Sequence, residues 1–341
     1  MTSRSAVVLR WSILAVLLTC AWDAAAADKW DLLERLTEAS GGQLAARASD
    51  LARNQRKETS ELALDLIVFR WASAASGMPG DVANAGSVIS SLTAALSDPT
   101  VTWAAQFYSV STDPARPSVL PPQFEERVTR LSELRREYGL ALDYAETSPV
   151  AAVNALTACL ELCTKLRLDL CEALVMAQLG DHYFANMSRY REAEGCYLRA
   201  AWTFRTYDCI QSSAIIYDDC GALNEAMGRY PAAAENHTLA ARQWMALAGS
   251  GQSAQRFLLK AGQAYMRAGD SMMAAGEVEK ALELMTERGL KQIRAYAHAS
   301  KSYAELIGGL ISVARIYRER GSARKSLDLL EEARKACGSQ N

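Results

Sequence analysis

Residues 220–240 read Cys220-Gly-Ala-Leu-Asn-Glu-Ala-Met-Gly-Arg-Tyr230-Pro-Ala-Ala-Ala-Glu-Asn-His-Thr-Leu-Ala240. Three further stretches share their design: Leu179-Gly-Asp-His-Tyr183, Ala261-Gly-Gln-Ala-Tyr-Met-Arg-Ala-Gly269 and Val313-Ala-Arg-Ile-Tyr-Arg-Glu-Arg-Gly321. In each, an apolar residue precedes Gly or Ala and an aromatic follows three residues later, with Asn224 in that place in the first stretch. A turn comes next, and then a segment with small residues at fixed offsets. A helix–turn–helix unit that recurs cannot bury its apolar faces alone, so its copies must stack.

Aligning the small residue early in each second helix picks out Ala152, Ala193, Ala233, Ala274 and Ser326, spaced by 41, 40, 41 and 52 residues. Seven positions later stand Cys159, Ala200, Ala240, Ala281 and Ala333. Small residues seven apart lie on one helical face and let a facing helix approach closely. Between them sits a larger residue, Leu156, Tyr197, His237, Val278 or Leu330, that fills the gap. The extra residues before Ser326 are placed around Gly289 to Gly309.

The series Leu179-Gly180, Tyr183, Ala193, Tyr197, Ala200 resembles the tetratricopeptide repeat (TPR) family, as do Gly221, Gly228, Tyr230, Ala233, Ala240 and Gly262, Tyr265, Gly269, Ala274, Ala281. The usual unit is 34 residues and ends in Pro. Units of 40–41 residues without that Pro are similar to longer-helix TPR variants such as SNAP adaptors and kinesin light chains. The resemblance implies an all-α solenoid, a right-handed superhelix of about five repeats. It also implies ligand binding along the concave surface lined by the first helices. Few Pro residues and long tracts rich in Ala, Leu, Glu and Arg independently favour helix throughout.

Four regions are expected. In residues 1–27, Arg4 and Arg10 precede the apolar run Trp11 to Trp22 and then Ala24 to Ala27, the order of a secretory signal peptide cleaved near Ala27. That reading implies an exported, periplasmic or secreted protein. A retained anchor, or lipidation at Cys20, is the alternative, and only these would bring a membrane contact. Residues 28–98 read as a helical region that caps the first repeat. Residues 99–122 contain Pro99, Pro114, Pro117, Pro121 and Pro122 and read as a linker or surface loop, pinned down by Trp103, Phe107 and Tyr108. The repeats occupy residues 123–338.

Charged residues make up 22% of the chain and the net charge is −2, which gives no field suited to nucleic acid. Phosphate loops, HExxH and GxSxG are absent, and His182, His237 and His298 are far apart in sequence. No catalytic residue, metal ligand or cofactor is assigned, and His237 falls at an interhelix packing position. None of the eight cysteines forms a CxxC; Cys159 and Cys220 fall at small packing positions.

The groove face reads Asp181 and Phe184, then Asp218, Ala222 and Glu225, then Arg256, Lys260, Gln263 and Arg267, then Arg315 and Arg318. Acidic groups gather towards its N-terminal half and basic groups towards its C-terminal half. Such stripes also occur as solvated faces. As a site, the basic half would grip a carboxylate or acidic segment, since Arg forks bind such groups bidentately. The chain is read as a non-enzymatic scaffold or adaptor for a protein or peptide partner. The alternative is a self-associating structural or assembly factor of the cell envelope.

Overall fold

A computed structural model describes residues 59–76, 98–108, 122–207, 209–248 and 254–338. The expected signal peptide, most of the 28–98 region and residues 109–121 lie outside them. The described residues form helices α1 (Thr59–Ala75), α2 (Pro99–Phe107), α3 (Pro122–Tyr144), α4 (Pro149–Leu166) and α5 (Asp169–Asp181). These are followed by α6 (Tyr190–Thr206), α7 (Ile210–Ala226), α8 (Tyr230–Ala248) and α9 (Ala254–Ala274). Last come α10 (Val278–Glu283), α11 (Lys291–Ser300), α12 (Ala304–Glu319) and α13 (Ala323–Gly338). A π-helical turn, His182–Asn186, extends α5, and another, Leu284–Leu290, joins α10 to α11 in one rod.

The helices pair as α3/α4, α5/α6, α7/α8, α9/α10–α11 and α12/α13, and each pair stacks on the next. Among the described residues the result is an α-solenoid of five helix–turn–helix units, with α1 and α2 packed at its start. A residue in the left-handed region closes four of the intrapair turns: Ser188, Gly228, Gly276 and Gly321. At three of them the chain makes a Schellman closure: Arg229 N donates to Asn224 O (2.8 Å), Glu277 N to Met272 O (2.9 Å) and Ser322 N to Tyr317 O (2.8 Å).

These turns correct the repeat register. Each lies five residues before the small residue that opens the second helix, which is Ala193, Ala233, Ala281 and Ser326. Ala274 is instead the last residue of α9, and Gly269 sits within that helix. The spacings are therefore 41, 40, 48 and 45 residues. The gap-filling residue of the fourth unit is Met285, not Val278, and it packs over Gly269 as Tyr197 packs over Gly180 and His237 over Gly221. In that rod the π turn inserts one residue, so the next close approach falls eight positions after Ala281, at Gly289 against Gly262.

Residues 99–107, read from sequence as part of a linker, form a helix with one face buried. Asp98 caps it, accepting from Thr100 N (2.7 Å) and Val101 N (3.2 Å), and Pro99 occupies its first turn. Trp103, Phe107 and Tyr108 are buried in the core beside α1 and α3. The Tyr108 hydroxyl donates to Leu131 O (2.7 Å), while Arg135 donates to Phe107 O and lies over the Phe107 ring at 4.4 Å.

Candidate interaction surface

The small-residue crossings fix which side of each first helix is left for other contacts. Taking Gly180, Gly221, Gly269 and Ala314 as equivalent, the next residue outward is Asp181, Ala222, Asp270 and Arg315. One turn further come Phe184, Glu225, Met273 and Arg318. All eight retain solvent exposure. They form one stripe across α5, α7, α9 and α12.

Of the sequence-assigned residues, Asp181, Phe184, Glu225, Arg315 and Arg318 fall on this stripe, and Asp218 lies one turn before it. Gln263 does not: the two-turn slip in α9 put it where Asp270 belongs. Its amide instead reaches Glu305 at the start of α12 (3.4 Å). Arg256 and Lys260 lie near the start of α9, where Arg256 is 5.0 Å from the Phe257 ring and Lys260 is 4.6 Å from Trp244. Burial, with Arg256 close by, lowers the Lys260 pKa. Phe184 meets Tyr190 edge-on at 6.0 Å, so one of its faces is already occupied.

The acidic and basic groups are not two separate halves. Arg267 of α9 forks onto Asp218 of α7, with Nε 3.1 Å from Oδ1 and a second contact to Oδ2. The same Asp218 oxygen lies 2.6 Å from Nδ1 of His237, which is 1% exposed. The other ring nitrogen is 3.5 Å from Glu225, whose carboxylate accepts from Ser271 Oγ (2.5 Å). Asp218, His237, Glu225, Arg267 and Ser271 thus tie α7, α8 and α9 together. His237 is a packing residue, as its sequence position implied, and Arg267 is engaged within the chain.

What remains is acidic in the middle. The Tyr197 hydroxyl donates to Asp181 (2.7 Å), and burial of that carboxylate raises its pKa to about 6. Burial, and then the neighbouring Asp181 and Asp218, raise Asp219 to about 8, with Arg267 opposing. Asp270 is raised too, first by burial and then by Glu225, and is relieved by Arg315. Asp219 and Asp270 were missed by sequence reading. Asp219 follows Asp218 directly, and nothing in the pattern separates the ion-paired neighbour from the crowded one.

The Asp219 shift has a consequence for stability. An unfolded Asp ionises near pH 4, whereas the folded chain holds this proton to about pH 8. The contribution is therefore fullest below about pH 4 and is lost as pH rises towards 8. Asp219→Asn, which mimics the protonated side chain, is expected to flatten that decline. Chemical denaturation at several pH values between 4 and 8 reads the slope, and an unchanged slope would assign the decline to other groups.

A family model described as soluble NSF attachment protein, SNAP, matches residues 141–306, from the end of α3 into α12. No curated protein sequence matches this one. Among solved structures, a putative kinesin light chain with nearly identical TPR-like repeats from Podosopora anserina is 20% identical, with a TM-score of 0.44; the match covers 62% of this chain and 97% of that one. A signal transduction ATPase with a tetratricopeptide repeat sensor, from Pyrococcus horikoshii, is 16% identical with a TM-score of 0.49, over 89% of this chain and 50% of that one.

Proposed function

We propose that this TPR-like α-solenoid is a non-enzymatic adaptor that holds an extended segment of a partner protein against the stripe on its first helices. TPR-like repeats are generally protein–protein interaction scaffolds. The observation that carries the reading is the register-matched stripe itself. Its eight positions recur on the first helices of four successive units and retain solvent exposure, while the residues behind them are buried. The acidic middle of the stripe, Asp181, Glu225 and Asp270, favours basic side chains of the partner. Arg315 and Arg318 on α12 favour its carboxylates.

This revises the gripping residues expected from sequence. Arg267 is ion-paired with Asp218, and Arg256 and Lys260 lie off the stripe near the start of α9, so Arg315 and Arg318 are the cations among its eight positions. The test is capture of partners from native extract with the wild type beside Asp181→Ala/Asp270→Ala and Arg315→Ala/Arg318→Ala. A protein retained by the wild type and lost, by about tenfold or more in affinity, from both variants supports the groove. A partner indifferent to both would place binding elsewhere. Export belongs to the same proposal and rests on the order of residues in 1–27; a mature chain beginning at Met1 would count against it.

A further inference from the structure

We propose that the chain self-associates tail to tail, through a two-fold contact of α13 with α13 of a second copy centred on Leu327 and Leu330. The argument starts from the repeat. In the four inner second helices the gap-filling position is closed: Leu156 is 2% exposed and Tyr197, His237 and Met285 are each 1%. The first helix of the following unit packs on each of these second helices. At α13 the equivalent Leu330 is 41% exposed. Three positions earlier, Val153, Ala234 and Leu282 are buried in three of the inner units and Glu194 of the second is half-buried, while Leu327 in the last is 65% exposed. On α13 both of these positions carry exposed leucines.

The exposed stripe of α13 is Ala323, Leu327, Leu330 and Arg334, at helical offsets 0, 4, 7 and 11. An antiparallel partner crossing between Leu327 and Leu330 sets each leucine against the other leucine of the second copy. It also lays the stem of each Arg334 over the small Ala323 opposite, so large meets small at both ends. The charges match in the same register. Exposed Arg324 comes within a turn of Glu331 of the second copy, and the symmetry repeats that contact. Glu331 is held on this face by Arg334 (2.7 Å). A second copy therefore covers the apolar centre and places opposite charges beside it.

A crossing of single helices falls at the small end of specific interfaces, so the dimer is concentration-dependent. Sedimentation equilibrium of the full chain over a wide concentration range is expected to show a monomer–dimer equilibrium. Leu330→Glu weakens it by about tenfold or more, as does Leu327→Glu. Because both side chains are exposed, the thermal midpoint of the monomer stays close to the wild type. Arg324→Glu sets like charges against each other and weakens the dimer, and adding Glu331→Arg restores it. A wild type that is monomeric at every concentration overturns the proposal, and so does a dimer indifferent to Leu330→Glu. Failure of the charge reversal to restore association overturns the two-fold register. These readouts are separate from partner capture on the first helices, so either can fail alone.

Discussion

Asp65→Ala is expected to destabilise the fold by about 3 kcal/mol. Asp65 lies in α1, between Leu64 and Leu66, and is fully buried. Its carboxylate accepts from Leu170 N, 3.1 Å from both oxygens, and from Cys171 N (3.2 Å). Those are the second and third residues of α5, whose own N-cap position is Leu168, a side chain that cannot accept a hydrogen bond. The cap is therefore supplied in trans, by a helix about a hundred residues earlier. Its charge also faces the positive end of the α5 dipole. One helical turn before Asp65, Glu61 pairs with Arg167 at the turn into α5 (3.0 Å), which aligns α1 on the same spot. Removing the carboxylate leaves two buried donors without a partner, which costs more than losing an exposed cap. Asp65→Asn keeps one acceptor and should lose less. Denaturant midpoints at constant slope measure both, and hydrogen exchange at the Leu170 and Cys171 amides locates the damage. A loss under about 0.5 kcal/mol in Asp65→Ala would show that α1 is not what closes this helix end.

That cap was invisible in the sequence for a physical reason. An Asp inside an apolar helical run looks like the polar edge of an amphipathic stripe, and no local spacing connects it to a helix end so far away. The opening of α2 was different. Asp98-Pro99 reads from sequence as the start of a loop, but Asp before Pro is equally the order of an N-cap and a first helical turn, and the buried Trp103 and Phe107 then follow on one face.

The repeat itself was legible because close packing demands small residues, and four of the five chosen positions hold. The slip at the fourth comes from the helix period. Gly262 and Gly269 are seven residues apart, almost two full turns, so both lie on the same side of α9. Composition cannot say which of them meets the gap-filling side chain. Only the left-handed turn at Gly276, rather than at Gly269, decides it. The slip carried into the candidate surface, replacing Asp270 with Gln263 and making α9 look like a basic ligand-facing helix. The one Arg there that neighbours an acid, Arg267, uses its charge to join α9 to α7.

The same crossings yield the second large effect. Gly221→Ala is expected to destabilise the fold by about 2 kcal/mol, and Gly139→Ala to stabilise it by up to about 1 kcal/mol. Both are helical glycines, so both substitutions gain the same backbone propensity, roughly 1 kcal/mol for Gly to Ala. They differ in what the new methyl meets. At Gly139, in α3, nothing lies within 4 Å. At Gly221 a Cβ would come 2.4 Å from the His237 ring carbon and 2.6 Å from each ring nitrogen. The ring cannot retreat without cost: it is buried, and Nδ1 is held by Asp218, which also holds Arg267. Moving it separates α7 from α8 and loosens the link to α9. Gly269→Ala is the informative third member. Its Cβ would meet Met285 at 2.4 Å, an unbranched chain that can change rotamer, but also the Ala281 carbonyl at 3.1 Å, so an intermediate loss is expected. Thermal or denaturant unfolding of the three variants checks the order Gly139→Ala, wild type, Gly269→Ala, Gly221→Ala from most to least stable. If Gly221→Ala were as stable as Gly139→Ala, the close approach of His237 would not be what holds the third unit together.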